Sequence, residues 1–590
     1  MSADGTTETP FALSADDLAK LDAIREALLE PSPRRIGRLD QWGLADTYET
    51  YAEIARYSEV SLTMADGTVL DAFLSMPRNL APGQTCPAVV LPAPLINIGH
   101  RAYLGMIFRW ALGGYVVLAY SQRGLAMSTG EIHVAGPRDV ADASEVIDWL
   151  AQQEGVDADR IGFFGSSYGA GTSLLAAAQD RRIKAVAGTS AWADLFASLY
   201  ENGTRHLKAF EALVQLFGED RCSQEFREVI QKIRSNTIDD QVTEFAAQRS
   251  PKNHLDTYND AATPVLLTTA WHETIFSVPA VIDFHNRLTG PKTLLVQVGD
   301  HGNAELPGLA GLPAKPTDMA YRWMDHHLGG SAGDGATPRF DVRTEYMFNP
   351  LSDLRHLGGS AGDGATPRFD VRTEYMFNPL SDLRHPSWQE YALPKKRFHL
   401  AGAREDGQLS ESGPQAGWTR SVKATGKGTD IVVAPKLVQT GLAERLGLPH
   451  VYKTADIDRG LAAVFTTTQL PHASRVRGEL ELQVTLMSQQ ADATIVAYLL
   501  DHDPVTGRAH IITHAPCTVT AEHRGQATTV NVPLQPADYV VPKDHQIQLV
   551  IDTHDPFYAY DNTTTPVFTI DITSPTGTES YLDIPLHPID

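Results

Sequence analysis

Between Tyr57 and Val298 the chain sets down short apolar runs with helical segments between most of them. The runs are 88–92 (Ala-Val-Val-Leu-Pro), 115–120 (Tyr-Val-Val-Leu-Ala-Tyr), 161–164, 184–187, 264–268 (Pro-Val-Leu-Leu-Thr) and 293–298. A run apolar at nearly every position has no wet face, so it reads as a strand buried on both sides. Helical segments such as 138–153 and 168–180 alternate with these strands, which implies a mainly parallel, doubly wound sheet with both faces covered. Upstream, Val60 and Leu62, a turn at Ala65-Asp66-Gly67, then Val69, Leu70 and Phe73 read as a hairpin opening that sheet. An α/β domain is therefore expected over 51–327.

The flanking segments have a different character. Residues 1–50 read as a helical extension: Ser14-Ala15-Asp16-Asp17 has the form of a helix start, followed by Leu18, Leu21, Ile24, Leu28 and Leu29 at helical spacing. The interval 195–262 is helical in tone and interrupts the strand rhythm, so it reads as a cap over the strand ends or as added helical packing. From about 386 to 590 the pattern turns to alternation, as in Gly478–Leu486 and Gln546–Ile551. Many short strands with turn signals predict a jelly-roll β-sandwich. Between the domains, Leu328–His356 repeats letter for letter as Leu357–His385, and deleting either 29-residue copy gives the same product. One copy, through Arg339–Thr344 or its twin Arg368–Thr373, is expected to supply the first strand of the β-domain. The other is expected to be surplus.

Within the α/β region, Gly165-Ser166-Ser167-Tyr168-Gly169 follows the apolar run Ile161-Gly162-Phe163-Phe164 and precedes the helix-forming Ala170–Ala178. Strand, sharp turn with serine at its tip, then helix is the setting in which G-x-S-x-G presents a nucleophile. Gly329–Gly333 and Gly358–Gly362 match the same pattern but lack both the strand and the helix, so they read as loop. Ser167 is the candidate nucleophile. The Tyr168 N–H, at a helix N-terminus, is the candidate oxyanion donor.

A serine nucleophile needs a base and a group that orients the base. In the α/β-hydrolase order both follow the serine, on loops after later strands. Glu273 follows the run 264–268 and His301 follows 293–298, which makes them the candidate acid and base. Asp300 and Asp283 compete as acids: Asp300 is adjacent to His301 and Asp283 lies mid-helix. Trp192, Tyr200, Trp271, His272 and Phe276 are expected to wall the substrate pocket. For each of them, ordinary packing between cap and sheet is the competing reading.

These residues carry a resemblance. The chain resembles the family of cocaine esterase, α-amino-acid ester hydrolases, cephalosporin acylases and X-Pro dipeptidyl-peptidases. The matching pieces are Tyr120–Gly124 with Ser128–Glu131, Gly165–Gly169, Trp271–Glu273, Gly299–His301, Arg397–Leu400 and Glu579–Leu586. The resemblance implies an α/β-hydrolase domain with a helical cap, then an all-β jelly roll, with Ser167 as nucleophile and His301 as base. Two positions depart from the pattern. Glu273 stands where the family usually has aspartate. Leu95, after Pro94, stands where the family has a tyrosine whose hydroxyl helps bind the oxyanion. The Leu95 N–H, or else His100 or Tyr103, must then serve, and a lost donor is typically worth about 2.7–4 kcal/mol in the transition state.

A net charge of −23 argues against nucleic acid or an anionic membrane as partner. Cys86, Cys222 and Cys517 are sparse and odd in number, which suggests reduced thiols. Met1–Thr6 opens without a basic region and apolar core, so a cytoplasmic protein is expected. No metal and no cofactor are expected. Asp501-His502-Asp503 and His554-Asp555 read as turn residues or, less readily, as cation ligands. The expected activity is hydrolysis of small ester or amide substrates through an acyl-enzyme, by a chain that is possibly a homo-oligomer. The alternatives are an X-Pro-type dipeptidyl aminopeptidase, with Glu201, Glu211 or Glu219 holding the substrate ammonium, an acyltransferase, and a non-catalytic binding protein.

Overall fold

The computed structural model describes residues 14–329, 369–375, 378–385, 387–402, 406–436, 438–488, 490, 492–519, 525–558 and 567–589. The first sheet contains β1 (Ala55–Thr63), β2 (Val69–Pro77), β3 (Cys86–Pro92), β4 (Val116–Tyr120) and β5 (Val156–Ser166). It continues with β6 (Ile183–Thr189), β7 (Val265–Ala270), β8 (Lys292–Gln297), β9 (Phe369–Tyr375) and β10 (Asn378–His385). The strands lie in the order β1-β2-β4-β3-β5-β6-β7-β8-β9-β10. The opening hairpin is antiparallel, and every pairing from β4 through β9 is parallel. All five residues of β4 and all six of β7 and of β8 are buried, which is why those runs carry no polar alternation.

The order reverses around β3: the chain goes from β3 to β4 on one side, then to β5 on the other. Such a reversal opens a crevice at the carboxyl ends of the two flanking strands, where open α/β sheets bind their ligands. Leu95 follows β3 and Ser167 follows β5, so both arrive at that crevice. The helix Tyr168–Gln179 presses on the sheet there, buried from Tyr168 to Ala178. A Cβ on Gly165 would lie 2.1 Å from the Gly169 backbone, and one on Gly169 would lie 2.1 Å from the Pro92 carbonyl oxygen. Only glycine fits at either end of this turn.

At the N-terminus, Ser14 caps the helix Ala15–Leu29 while the Asp17 carboxylate answers the Ser14 N–H, a reciprocal capping box. Ala23, Ile24, Ala27 and Leu28 bury one face of this helix in the cluster that holds Tyr48, Tyr51 and Trp110. The interval 195–262 forms the helices Leu195–Leu199, Leu207–Phe217, Gln224–Arg234, Asp240–Gln248 and Leu255–Ala261. The apolar faces of the first four share one cluster with Tyr168, Trp192 and Phe276, and Leu255 and Tyr258 of the last pack with Leu174 and Phe284 in the main core cluster.

The C-terminal domain is of the all-β class: among the described residues thirteen of its strands are connected, beside the short helices Trp388–Tyr391 and Val438–Arg445. Its longest ladder pairs Ser474–Ser488 with Thr528–Val541, antiparallel. No helix among the described residues is long and apolar enough to cross a membrane.

The duplicated segment departs from expectation. The second copy does not open the β-domain: β9 extends the first sheet instead, parallel to β8, with Lys292 opposite Phe369 and Val296 opposite Thr373. The helix Lys315–Leu328 returns the chain to Arg160 of β5, whose Nη1 donates to the Leu328 carbonyl at 3.3 Å. β9 covers backbone groups along the β8 edge that would otherwise lack a ladder partner. The twin strand at Arg339–Thr344 lies outside the described residues.

Candidate active site

Ser167 sits at the tip of the turn between β5 and the helix Tyr168–Gln179, with φ 54° and ψ −116°. A non-glycine residue held at positive φ is strained, and such strain persists only where the surroundings over-determine it. Here β5, the two glycines and the helix fix it, and the result lifts the hydroxyl above the sheet edge. Ser167 Oγ lies 2.8 Å from Nε2 of His301. On the far side of the ring, His301 Nδ1 lies 2.9 Å from Oε1 of Glu273. With Nδ1–H donating to the carboxylate, Nε2 is left to accept the serine proton.

Glu273 follows β7, where Oε1 also accepts the N–H groups of Ile275 (3.0 Å) and Phe276 (3.3 Å). The extra methylene relative to aspartate is thus absorbed by a loop that folds back onto its own carboxylate. Burial opposes the charged form of His301, but Glu273 outweighs it and the imidazole pKa is raised above its ordinary value.

Of the competing acids, Asp300 accepts from the His301 backbone N–H (2.6 Å) and from the Thr274 N–H (2.8 Å). Asp283 lies on the exposed face of its helix beside Arg287. The His301 ring Nδ1 faces Glu273. Glu305, which the sequence did not single out, is buried and accepts from Ser166 Oγ at 3.1 Å. Its one sequence signal is a four-residue spacing from His301.

The Tyr168 N–H opens its helix, where the first donors have no intrahelical acceptor. Tyr103, a sequence candidate for the second donor, gives its hydroxyl to the Pro92 carbonyl (2.8 Å) and accepts from the Ser166 N–H (3.3 Å). His100, the other, is buried with Nδ1 on Ser121 Oγ at 3.0 Å. Tyr103 is thereby held under the turn, and His100 is held against the end of β4. Arg123, from the matching Tyr120–Gly124 stretch, is spent on a buried ion pair with Asp142 and a second pair with the exposed Asp66.

Two cavities meet at the serine. Ser167, Leu95 and Leu213 line both. The inner cavity lies between sheet and cap, with Trp192, Leu199, Phe210, Phe226 and Phe276 among its walls. The outer cleft lies between Ile96, Leu216, Leu306 and Leu309 and the N-terminal helix at Leu21 and Ile24.

Trp192 and Phe276 thus stand where the sequence reading put them, with their rings 5.0 Å apart. Three expected walls do not. Trp271 is buried against Tyr391, stacked at 6.4 Å. His272 turns its Nδ1 to Glu444 of the β-domain at 2.9 Å. Tyr200 stacks on Phe196 at 5.4 Å, in a two-residue hairpin whose Asn202 side chain donates to the Pro516 carbonyl. All three follow strands or turns that end at the domain junction, and alternation sends successive side chains to opposite sides.

The candidate acidic pairs are also engaged within the fold. Asp501 accepts from Tyr539 and His545, and Asp555 from Tyr498. Among the described residues no group of three His, Cys, Asp or Glu side chains is arranged to hold a metal ion.

Residues 66–303 match the model of the X-Pro dipeptidyl-peptidase (S15 family), and residues 372–587 match that of the X-Pro dipeptidyl-peptidase C-terminal non-catalytic domain. Among curated proteins, an 82-residue stretch is 38% identical to an uncharacterized 31.7 kDa protein of the traX-finO intergenic region of Escherichia coli. That match takes in 14% of this chain and 29% of the relative, so the chain spans less than a third of that protein's length. Among solved structures, an α-amino acid ester hydrolase aligns with TM-score 0.65 and 15% identity, over 90% of this chain and 97% of that one. A CocE/NonD family hydrolase from Staphylococcus aureus aligns with TM-score 0.63 and 13% identity, over 90% and 93%. At these identities the likeness is one of fold.

Proposed function

Because this chain belongs to the family of S15-type serine hydrolases that join an α/β-hydrolase domain to an X-Pro dipeptidyl-peptidase C-terminal domain, we propose that it hydrolyses esters or amides of apolar acyl groups through a covalent intermediate on Ser167. One observation carries this reading: the hydrogen-bonded chain Ser167–His301–Glu273 stands where two apolar-walled cavities meet.

In this mechanism His301 Nε2 takes the serine proton as Oγ attacks the substrate carbonyl carbon. Glu273 fixes the tautomer and stabilises the imidazolium. The N–H groups of Tyr168 and Leu95 receive the negative oxygen of the tetrahedral intermediate. His301 then protonates the leaving alcohol or amine. Water, activated by the same ring, releases the acid.

The assignment of the two cavities follows from the order of events. The leaving group must depart first, while the acyl group stays bonded to Ser167. The inner cavity, walled by buried apolar side chains, suits the acyl chain, and the outer cleft, rimmed by the exposed Asp17 and Leu306, suits the leaving group. The inner walls are almost wholly aliphatic and aromatic, which favours an apolar acyl chain over a polar one.

The dipeptidyl aminopeptidase reading needs an anion in the pocket for the substrate ammonium. Glu211 and Glu219 each pair with Arg234 at 2.8 Å on the cap. Glu201 lies beside His206 at 3.3 Å. None of the three lines either cavity, and among the described residues Asp17, at the outer rim, is the one acid that does. Turnover of p-nitrophenyl acyl esters of increasing chain length, compared with X-Pro p-nitroanilides, separates the two. Preference for the esters supports the proposal, and preference for the anilides overturns it.

A further inference from the structure

Beside the loops that carry Glu273 and His301 the β-domain places a short helix, Val438–Arg445. Gly441, Glu444 and Arg445 stand at i, i+3 and i+4, so they share one face of it. Each meets a loop that carries part of the triad. Glu444, itself buried, holds Nδ1 of His272 through both carboxylate oxygens, at 3.0 and 2.9 Å. His272 is the residue before Glu273, and its Nε2 faces the Ile512 carbonyl at 3.4 Å, also in the β-domain. Arg445 donates from Nη1 to the Val298 carbonyl at 2.8 Å, just ahead of Gly299-Asp300-His301. Its side chain also lies across Gly299, where a Cβ would come within 3.0 Å of Arg445 Cδ. Gly441 makes the closest approach: a Cβ there would sit 2.3 Å from the Asp300 nitrogen and 2.4 Å from the Asp300 Cβ.

The helix therefore grips both loops at once. One grip is the hydrogen-bonded pair of His272 and Glu444 on the acid loop. The second is a charge-assisted hydrogen bond on the histidine loop. The third is backbone packing that only glycine permits. The loops are also joined to each other, His272 N–H to the Gly299 carbonyl at 3.4 Å.

We propose that the helix Val438–Arg445 is a positioning element for the reaction, in which Glu444 and Arg445 set the spacing between Glu273 and His301. The inference rests on the reading of Ser167, Glu273 and His301 as the reacting set. Its consequence is that the C-terminal domain controls turnover and not only stability. A misplacement of about 1 Å in a reacting constellation can cost roughly a hundredfold in rate.

The test uses the full-length chain and a short p-nitrophenyl ester, with active sites counted by stoichiometric labelling with a fluorophosphonate. Glu444→Ala and Arg445→Ala are each expected to lower kcat per labelled site by about 10- to 100-fold, with KM within about threefold. Glu444→Gln, which retains an acceptor for His272, should recover most of the loss. Gly441→Ala tests the third grip independently: alanine is the better helix former, yet its methyl group strikes the Asp300 loop, so kcat should fall although helix propensity rises. If a Glu444 or Arg445 variant fails to fold, Gly441→Ala and Arg445→Lys decide. Wild-type kcat per labelled site in the folded variants overturns the inference, as does a loss confined to the number of labelled sites. Labelling of Ser167→Ala at full stoichiometry would instead bring down the underlying assignment of the nucleophile, and the two failures are thereby distinguished.

Discussion

Glu273 and Asp300 are buried carboxylates that divide His301 between them. Glu273 takes the ring Nδ1 at 2.9 Å, and Asp300 takes the backbone N–H at 2.6 Å. Burial, and then the charge of Glu273, raise the Asp300 pKa to about 7. The two acids thus have separable duties. One orients the imidazole and the other holds the loop. Glu273→Gln should lower kcat by about 10⁴-fold, as expected when the base loses the partner that fixes its tautomer. Asp300→Asn keeps an oxygen for the His301 N–H and should cost less than about tenfold. Rates on one p-nitrophenyl ester check both, and equal losses from the two substitutions would contradict this division.

The pH dependence follows from His301. The ring must be neutral to accept the serine proton, and Glu273, against the opposing effect of burial, leaves its pKa above the usual imidazole value of 6.5. Activity is therefore low where the ring is protonated and rises with pH through a midpoint above that value. Removing the Glu273 charge should move this limb to lower pH. A kcat/KM profile on wild type and Glu273→Gln measures both midpoints. An acid limb in wild type below the ordinary range contradicts the electrostatics described.

The inner cavity gives a chain-length prediction. Val229 lines it from the cap helix Gln224–Arg234. Val229→Phe fills open space, so its stability cost should stay within the usual ~1–3 kcal/mol of overpacking. Turnover of long acyl esters should fall at least tenfold relative to acetate and propionate esters. Unchanged selectivity across the acyl series would place the acyl chain elsewhere.

The duplicated segment gives a deletion test. Removing 29 residues leaves eleven, of sequence GGSAGDGATPR, between Leu328 and the strand that pairs with β8. Leu328 packs against Gly162 of β5, and four strand spacings separate β5 from β9. That is about 19 Å at ~4.8 Å per spacing, within the ~36 Å that eleven extended residues can span. The shortened chain should keep wild-type kcat and equal or higher Tm, both measurable on the purified protein. Loss of folding would mean that the chain needs both copies.

What the sequence discloses is what local pattern encodes. Strand, turn and helix around Ser167 are contiguous, and the glycine requirement at 165 and 169 is written in the motif. Glu273 and His301 are legible because each follows an apolar run in the right order. The directions of Trp271 and His272 are not, because one residue of register at the end of a strand decides which side a side chain faces. The placement of β9 escapes local reading for a similar reason. Its sequence is compatible with either sheet, and the choice is made at the edge of β8 that it covers. The contacts of Glu444 with His272 and of Arg445 with Val298 join positions far apart in sequence, and no periodicity within either segment announces them.

The central claim is that Ser167 is the nucleophile, activated by His301. The most direct measurement is intact-protein mass spectrometry after exposure to a fluorophosphonate, with peptide mapping of the adduct. One adduct per chain is predicted, on the peptide that contains Ser167. It should be absent in Ser167→Ala and formed at least a hundredfold more slowly in His301→Ala. Full labelling of Ser167→Ala, or a folded wild-type protein that takes up no label, would contradict it.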